Sequence, residues 1–291
     1  MQRTTHFRTG AILFLLPALL LFTAFFLYPV GYVVVVSFMK WDGMSSPGFV
    51  GLRNYSALFH DEVFRISIRN NLIWACAEAM IQVPLAILVA LLLARKPKGW
   101  KLLRTIYFFP HVISGIAITM LWGAIYNNER GLLNGFLRLI GLSEWEHNWL
   151  GGLGSAFPSV LVYGLLYIGY FMVIILADIS SVSQSYYEAA SIDGATRTQQ
   201  DWHITLPLIR GTIATCVTLA MVNGLRQFEQ VLLLTGGGPA NNTSVLVLYL
   251  YKELQNFHYG TANALGTVLI VLGGLVILTV RKLFNAAKYD M

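Results

Sequence analysis

Residues 71–104 read NLIWACAEAMIQVPLAILVALLLARKPKGWKLLR, and this stretch changes its preferred solvent partway along. From Asn71 to Ala94 it is mostly apolar over the length a helix needs to cross a bilayer core, about 20 residues. From Arg95 to Arg104 five of the ten residues are basic and none is acidic. A soluble domain would need a polar shell around such a run. The chain lacks one: 12% of its 291 residues are charged, against roughly 25% in soluble globular proteins. Hydrophobic residues make up 56% and mean hydropathy is +0.62. Folded in water, that composition would expose extensive apolar surface. The expected fold class is an all-α integral membrane protein.

Working outward from this stretch, six segments qualify as spans: roughly 11–36, 71–94, 105–126, 157–179, 212–234 and 263–283. The first follows Arg3 and Arg8 but is longer than a signal-peptide core of about 7–15 residues and has no small-x-small cleavage site after it. It reads as a retained span. Lys and Arg are held on the cytoplasmic side. With the N-terminus inside, twelve lie in inner segments and seven in outer ones. The Arg95–Arg104 cluster weighs most. The expected organisation is a cytoplasmic N-terminus over 1–10, a membrane domain over 11–291, and both termini inside. Pro84 and Pro110 are expected to kink their helices, with His111 a hydrogen-bonded helix residue. Two long connections, 37–70 and 127–156, face outward. In the second, Leu132, Leu133, Phe136, Leu137 and Leu139 suggest a short amphipathic helix ahead of Trp145 and Trp149. It reads either as an interfacial helix with an aromatic belt or as a docking surface for an external partner.

Composition excludes several other classes. Aromatics at 13% argue against disorder. Cys76 and Cys216 are the two cysteines, each in an apolar run, so neither a disulfide scaffold nor zinc or redox chemistry is indicated. The net charge of +6 is spread between apolar runs instead of forming a nucleic-acid face. No G-x-x-x-x-G-K-[ST] phosphate loop, H-E-x-x-H or G-x-S-x-G occurs, and no metal-ligand spacing is present. The chain is therefore expected to be neither an ATPase nor another enzyme, and to hold no metal.

The third long connection, 180–211, faces the cytoplasm. It contains YEAASIDGA at Tyr187–Ala195 and WHITLP at Trp202–Pro207. This reads as a short helix rich in small residues, a turn at Gly194 that uses positive φ, and a second helix running into Pro207. Ala189, Ala190, Gly194 and Ala195 would let another surface approach closely. Glu188 suits both a helix N-terminus and a basic partner. On physics alone the segment is either a capped surface helix or a docking helix.

The spacing E-A-A, two residues, D-G-A, eight residues, I, one residue, L-P matches Glu188, Ala189, Ala190, Asp193, Gly194, Ala195, Ile204, Leu206 and Pro207. It resembles the EAA loop of permease subunits in bacterial ABC importers. Similar to the carbohydrate-type, maltose-like branch are Leu16-Pro17-Ala18 to Tyr28-Pro29, Gly51-Leu52-Arg53-Asn54-Tyr55, Phe108-Phe109-Pro110 with Ser114, Gly131–Asn134, Leu234–Pro239, Tyr249-Leu250-Tyr251 and Tyr259-Gly260. The resemblance implies a six-span type I permease fold in a bacterial cell membrane. It implies a transport subunit for a carbohydrate, paired with a second homologous permease. Two cytoplasmic ATPase subunits would carry ATP-Mg, and an extracytoplasmic solute-binding protein would deliver cargo. In that family the loop is a coupling helix seated in an ATPase groove. That role would fall here to Glu188, Ala189, Ala190, Asp193, Gly194 and Ala195, with Trp202 as aromatic anchor before Leu206 and Pro207. Thr198 and Asp201 depart from the pattern, standing where relatives often place an aromatic residue.

Ionised groups inside a span cost about 2.5–3.5 kcal/mol each and normally face protein or a water-filled path. On a continuous helix Asn223, Arg226, Gln227 and Gln230 share one arc of about 100°, with Glu229 at its border and able to pair with Arg226. With Phe228 or Tyr167 as stacking surfaces, this arc reads as a sugar path; the alternative is an interhelical network joining two subunits. Asn71, Trp74, Glu78 and Gln82 form a second stripe, expected to be a buried polar face. A rival reading is a secondary transporter driven by an ion gradient, with Glu78, Glu229 and His111 carrying protons. A membrane enzyme would need converging acid, base and nucleophile, and the sequence offers no such set.

Overall fold

The computed structural model describes residues 14–284. Residues 11–13 of the first expected span, the 1–10 segment with Arg3 and Arg8, and Lys288 lie outside the described residues. Among the described residues four helices are long and apolar enough to cross a membrane: α1 (Phe14–Val36), then α3 (Glu62–Ala94), α7 (Ala156–Ile179) and α12 (Tyr259–Phe284). Two bent pairs bring the number to six if each counts as one span: α4 (Trp100–Val112) with α5 (Gly115–Ile125), and α9 (Arg197–Leu208) with α10 (Arg210–Leu234). Shorter helices are α2 (Arg53–His60), α6 (Leu132–Leu139), α8 (Gln184–Ile192) and α11 (Leu246–Gln255).

The expected spans differ from these helices in instructive ways. α3 starts at Glu62, before the apolar run, because hydropathy marks what lies in lipid and not where a helix begins. Pro84 does not break it. A π-helical turn at Glu78–Gln82, closed by the Val83 N–H donating to the Glu78 carbonyl, precedes the proline and absorbs the bond its ring cannot make. The third span, expected as one kinked helix, instead turns by 98° between α4 and α5. Pro110 lies in a 3₁₀ turn at Phe109–Val112, and Ile113 and Ser114 are both extended, with ψ of 146° and 130°. His111 therefore sits in that turn and not in a continuous helix. α7 is interrupted between Leu165 and Gly169, and α10 between Leu225 and Glu229.

Two compact units divide the described residues. One holds the chain up to Asp61 with Leu250–Ile270; the other holds Glu62–Tyr249 and the stretch from Val271. In the first, strands β1 (Met39–Lys40) and β2 (Gly48–Phe49) pair antiparallel, Met39 opposite Phe49. Within the Gly51–Tyr55 tract, the Asn54 amide donates to the Ser37 and Met39 carbonyls at 2.8 Å each, and Tyr55 shares a 2.6 Å hydrogen bond with Ser37. A Cβ at Gly260 would stand 2.0 Å from the Met39 carbonyl, so this backbone crossing requires glycine. In the hairpin turn Asp42 accepts from the Ser45 hydroxyl and from the Ser45 and Met44 N–H groups. Those bonds, the Ser45 hydroxyl first, pull its carboxyl down to about 2.

The second unit is built on a helix seam. Val83, Ala86, Ala90 and Leu93 of α3 pack against Phe171, Met172, Ile175 and Ile179 of α7, with Ile209, Cys216 and Ala220 closing the cluster. Ala at 86 and 90 permits the close helix approach that packing in lipid relies on. At Gly224 the contact is tighter still, since a Cβ there would lie 2.6 Å from the Ala75 backbone. In the 127–156 connection, the expected amphipathic helix is α6. Its Asn134 is buried, donating to the Asn128 and His147 carbonyls and accepting from the Trp149 indole at 2.7 Å. Trp149 is thus tied into the loop, whereas Trp145 is exposed.

Candidate functional site

The polar stripe of α3 faces interruptions in two other helices. A helix that breaks inside an apolar region leaves carbonyls without partners. Asn71 donates to the Gly224 and Leu225 carbonyls at 2.9 and 3.1 Å, where α10 breaks, and accepts the Leu246 N–H at 2.7 Å. Gln82 donates to the Gly164 and Tyr167 carbonyls at 3.1 Å each, where α7 breaks. Between them Glu78, buried, accepts from Gln227 at 2.7 Å, and Gln230 donates to Gln227. Trp74, fully buried, packs on Gly164 and edge-on to Phe157 at 6.1 Å.

Glu78, Gln82, Gln227 and Gln230, but not Asn71 or Trp74, border a cavity of about 580 Å³. Its polar lining is Glu78, Gln82, Asn223, Arg226, Gln227 and Gln230. Aromatic residues also line it: His111, Tyr163, Tyr167, Tyr170 and Phe171. His111 stacks on Phe108 at 5.9 Å and on Tyr170 at 6.2 Å, and meets Tyr167 edge-on at 6.3 Å. Tyr167 is fixed by the Trp122 indole at 2.5 Å, and Tyr163 by Thr119 at 2.9 Å. Such a cavity offers amide and guanidinium donors together with aromatic rings.

The four polar residues of α10 do meet in one place, but the expected continuous arc does not exist, because Arg226, Gln227 and Phe228 are the break itself. Asn223 comes from the helix before the break and Gln230 from the helix after it. Two expected path residues are absent from the cavity wall, Phe228 and Glu229. The Glu229 carboxylate lies at the first turn of α5, where a Cβ on Gly115 would be 3.1 Å from its Oε2. It forms no ion pair with Arg226. Sequence reading passed over Tyr163, Tyr170 and Phe171. The i, i+4, i+7 spacing of Tyr163, Tyr167 and Tyr170 was the available signal.

The 180–211 connection forms a second candidate site. Ser183 caps α8, accepting from the Ser185 N–H. At its other end Gly194 has φ of +80°, with its N–H on the Ser191 carbonyl and the Ala195 N–H on the Ala190 carbonyl. That is the Schellman closure glycine favours. Thr196 and Gln199 then form a capping box that opens α9. Past a π-helical turn at Asp201–Thr205, α9 meets α10 at 71° just after Pro207. Glu188, Ala189, Asp193 and Gly194 are exposed, as are Trp202 and Pro207, whereas Ala190, Ala195 and Leu206 are half-buried. Ile192 is 87% exposed, an apolar side chain held at the tip without cover in this chain. Asp201 pairs with Arg95, tying the loop to the basic stretch after α3.

A family model described as binding-protein-dependent transport system inner membrane component matches residues 82–288. The chain belongs to this family: it is an integral membrane permease subunit of an ABC importer. It is 35% identical over 283 residues to the probable ABC transporter permease protein YurN of Bacillus subtilis, covering 96% of this chain and 97% of that one. It is 33% identical to the diacetylchitobiose uptake system permease protein NgcF of Streptomyces coelicolor, covering 96% and 83%. Among solved structures, a bacterial alginate ABC transporter in complex with an alginate pentasaccharide-bound periplasmic protein superposes with a TM-score of 0.82 at 26% identity, over 97% of this chain and 96% of that one. Nothing in these likenesses favours an ion-gradient mechanism.

Proposed function

We propose that this permease carries a carbohydrate across the membrane through the cavity lined by Arg226, Gln227, Gln230, Tyr163, Tyr167 and Tyr170. The lining that combines polar side chains with aromatic rings is the observation that carries this reading. Sugar hydroxyls need amide or charged partners in a site shielded from water, and sugar rings stack on aromatic faces. The names of the relatives point the same way, one a diacetylchitobiose permease and another an alginate importer. Asn223, Arg226, Gln227 and Gln230 bind hydroxyls; Tyr167 and Tyr170 stack. Glu78 orients Gln227.

In this reading the 188–207 loop is the lever. A cytoplasmic ATPase pair carrying ATP-Mg holds α8 through Glu188, Asp193 and exposed Ile192, a second permease completes the path, and an external solute-binding protein delivers cargo. Both termini are cytoplasmic. ATP binding and hydrolysis shift the assembly between inward- and outward-facing states by differential stabilisation.

Uptake kinetics test the path. Arg226→Gln, Gln227→Ala and Tyr167→Ala, in the assembled transporter, are each expected to lower uptake about tenfold or more, the effect of losing one good contact of about 1.4 kcal/mol. ATPase assembly should persist. Uptake unchanged in all three would remove the cavity from the transport route.

A further inference from the structure

Where α3 and α7 end, a cleft of about 160 Å³ opens against the start of α4. Lys96, Trp100, Arg104 and Ser180 line its polar side, and Leu93, Val173 and Leu176 contribute to its apolar floor. The Arg104 guanidinium lies 5.5 Å and the Lys101 ammonium 5.9 Å from the centre of the Trp100 ring. Arg95 is held by Asp201, but Lys96, Lys98, Lys101 and Arg104 take part in none of the ion pairs among the described residues. The helical stretch Trp100–Phe108 has no buried member, and Leu102, Leu103 and Ile106 are exposed beside the basic residues. Basic and apolar side chains exposed together on one helix suit the membrane–water boundary.

A cationic cleft alone would take any anion. Its apolar floor, continuous with an exposed apolar helix, selects one that carries acyl chains. We propose that this cleft binds the phosphodiester headgroup of an anionic phospholipid, Lys96 and Arg104 meeting the phosphate, Trp100 sitting at headgroup depth, and the chains lying along exposed residues of α4. The solute cavity shares no lining residue with this cleft.

Native mass spectrometry of the full chain released from nanodiscs of equal phosphatidylglycerol and phosphatidylcholine tests it. The expected result is retained phosphatidylglycerol in preference to phosphatidylcholine, reduced about fivefold for each charge removed in Lys96→Gln and Arg104→Gln. Arg104→Lys should keep most of the preference, and Lys98→Gln, outside the cleft, all of it. Equal retention of the two lipids would overturn the proposal. So would parental retention in the Lys96→Gln/Arg104→Gln pair, or inorganic phosphate binding as tightly as the lipid. Each single variant is scored at parental helicity by circular dichroism, so loss of fold is not read as loss of lipid.

Discussion

Asn71 satisfies three backbone groups outside its own helix: two carbonyls at the α10 break and the N–H that opens α11. Each buried group left without a partner costs about 1–3 kcal/mol, and lipid supplies no water to replace it. Asn71→Ala is therefore expected to lower the stability of the detergent-solubilised protein by at least ~2 kcal/mol in thermal unfolding. Asn71→Asp should also destabilise, because a carboxylate cannot donate to the two carbonyls. If Asn71→Ala melted with the parent, the interruption in α10 would have to be satisfied by other means. The residue was legible in the sequence as costly in lipid and so facing protein. Its partners were not, because they lie more than 150 positions away and are main-chain groups, which carry no signature in the side-chain pattern.

At the scale of elements, the same difference separates what periodicity reveals from what it hides. The Glu188–Pro207 loop was legible because its structure is local. Gly194, Thr196 with Gln199, and the small residues of α8 each act within a few positions of themselves. Helix breaks at Leu166–Ile168 and Arg226–Phe228 were hidden, since apolar composition runs through the first and a regular polar spacing through the second. The α10 break could pass for a helix face because i, i+3, i+4 spacing is blind to one lost turn. Two predictions belong to the loop. Gly194 has φ of +80° with open space where a Cβ would stand, so Gly194→Asp strains the turn by about 1–2 kcal/mol without a clash. The transporter should still assemble in the membrane but hydrolyse ATP without solute uptake; normal coupling in Gly194→Asp and Glu188→Lys together would count against the lever. For the Arg95–Asp201 pair, partly exposed at 35% and 19% of side-chain area, global stability should change by less than about 1 kcal/mol in Asp201→Asn. Amide exchange over 197–205 should nevertheless accelerate, and the exchanged pair Arg95→Asp/Asp201→Arg should restore it. Unchanged exchange in Asp201→Asn would show that the π-helical turn holds without its anchor.

For the whole molecule, everything functional depends on which ends of the spans face the cell interior. In the proposed orientation Arg95–Arg104 faces the cytoplasm, and the α8–α9 loop falls on the same side because α7 is the single remaining span between α5 and α8. An even number of crossings separates the two connections only if α4 and α5, despite their 98° bend, together traverse the bilayer once. A re-entrant α4–α5 pair would instead place the basic stretch and the 180–211 loop on opposite faces, which the Arg95–Asp201 contact forbids. The two native cysteines permit a direct check: Cys216 is buried and Cys76 exposed, so both are replaced by Ser before a reporter is introduced. Asp193→Cys should react with a membrane-impermeant maleimide only after the inner face is opened, and Trp145→Cys should react in intact cells. Labelling of Asp193→Cys from outside would invert the chain in the membrane and leave a cytoplasmic ATPase with no loop to grip.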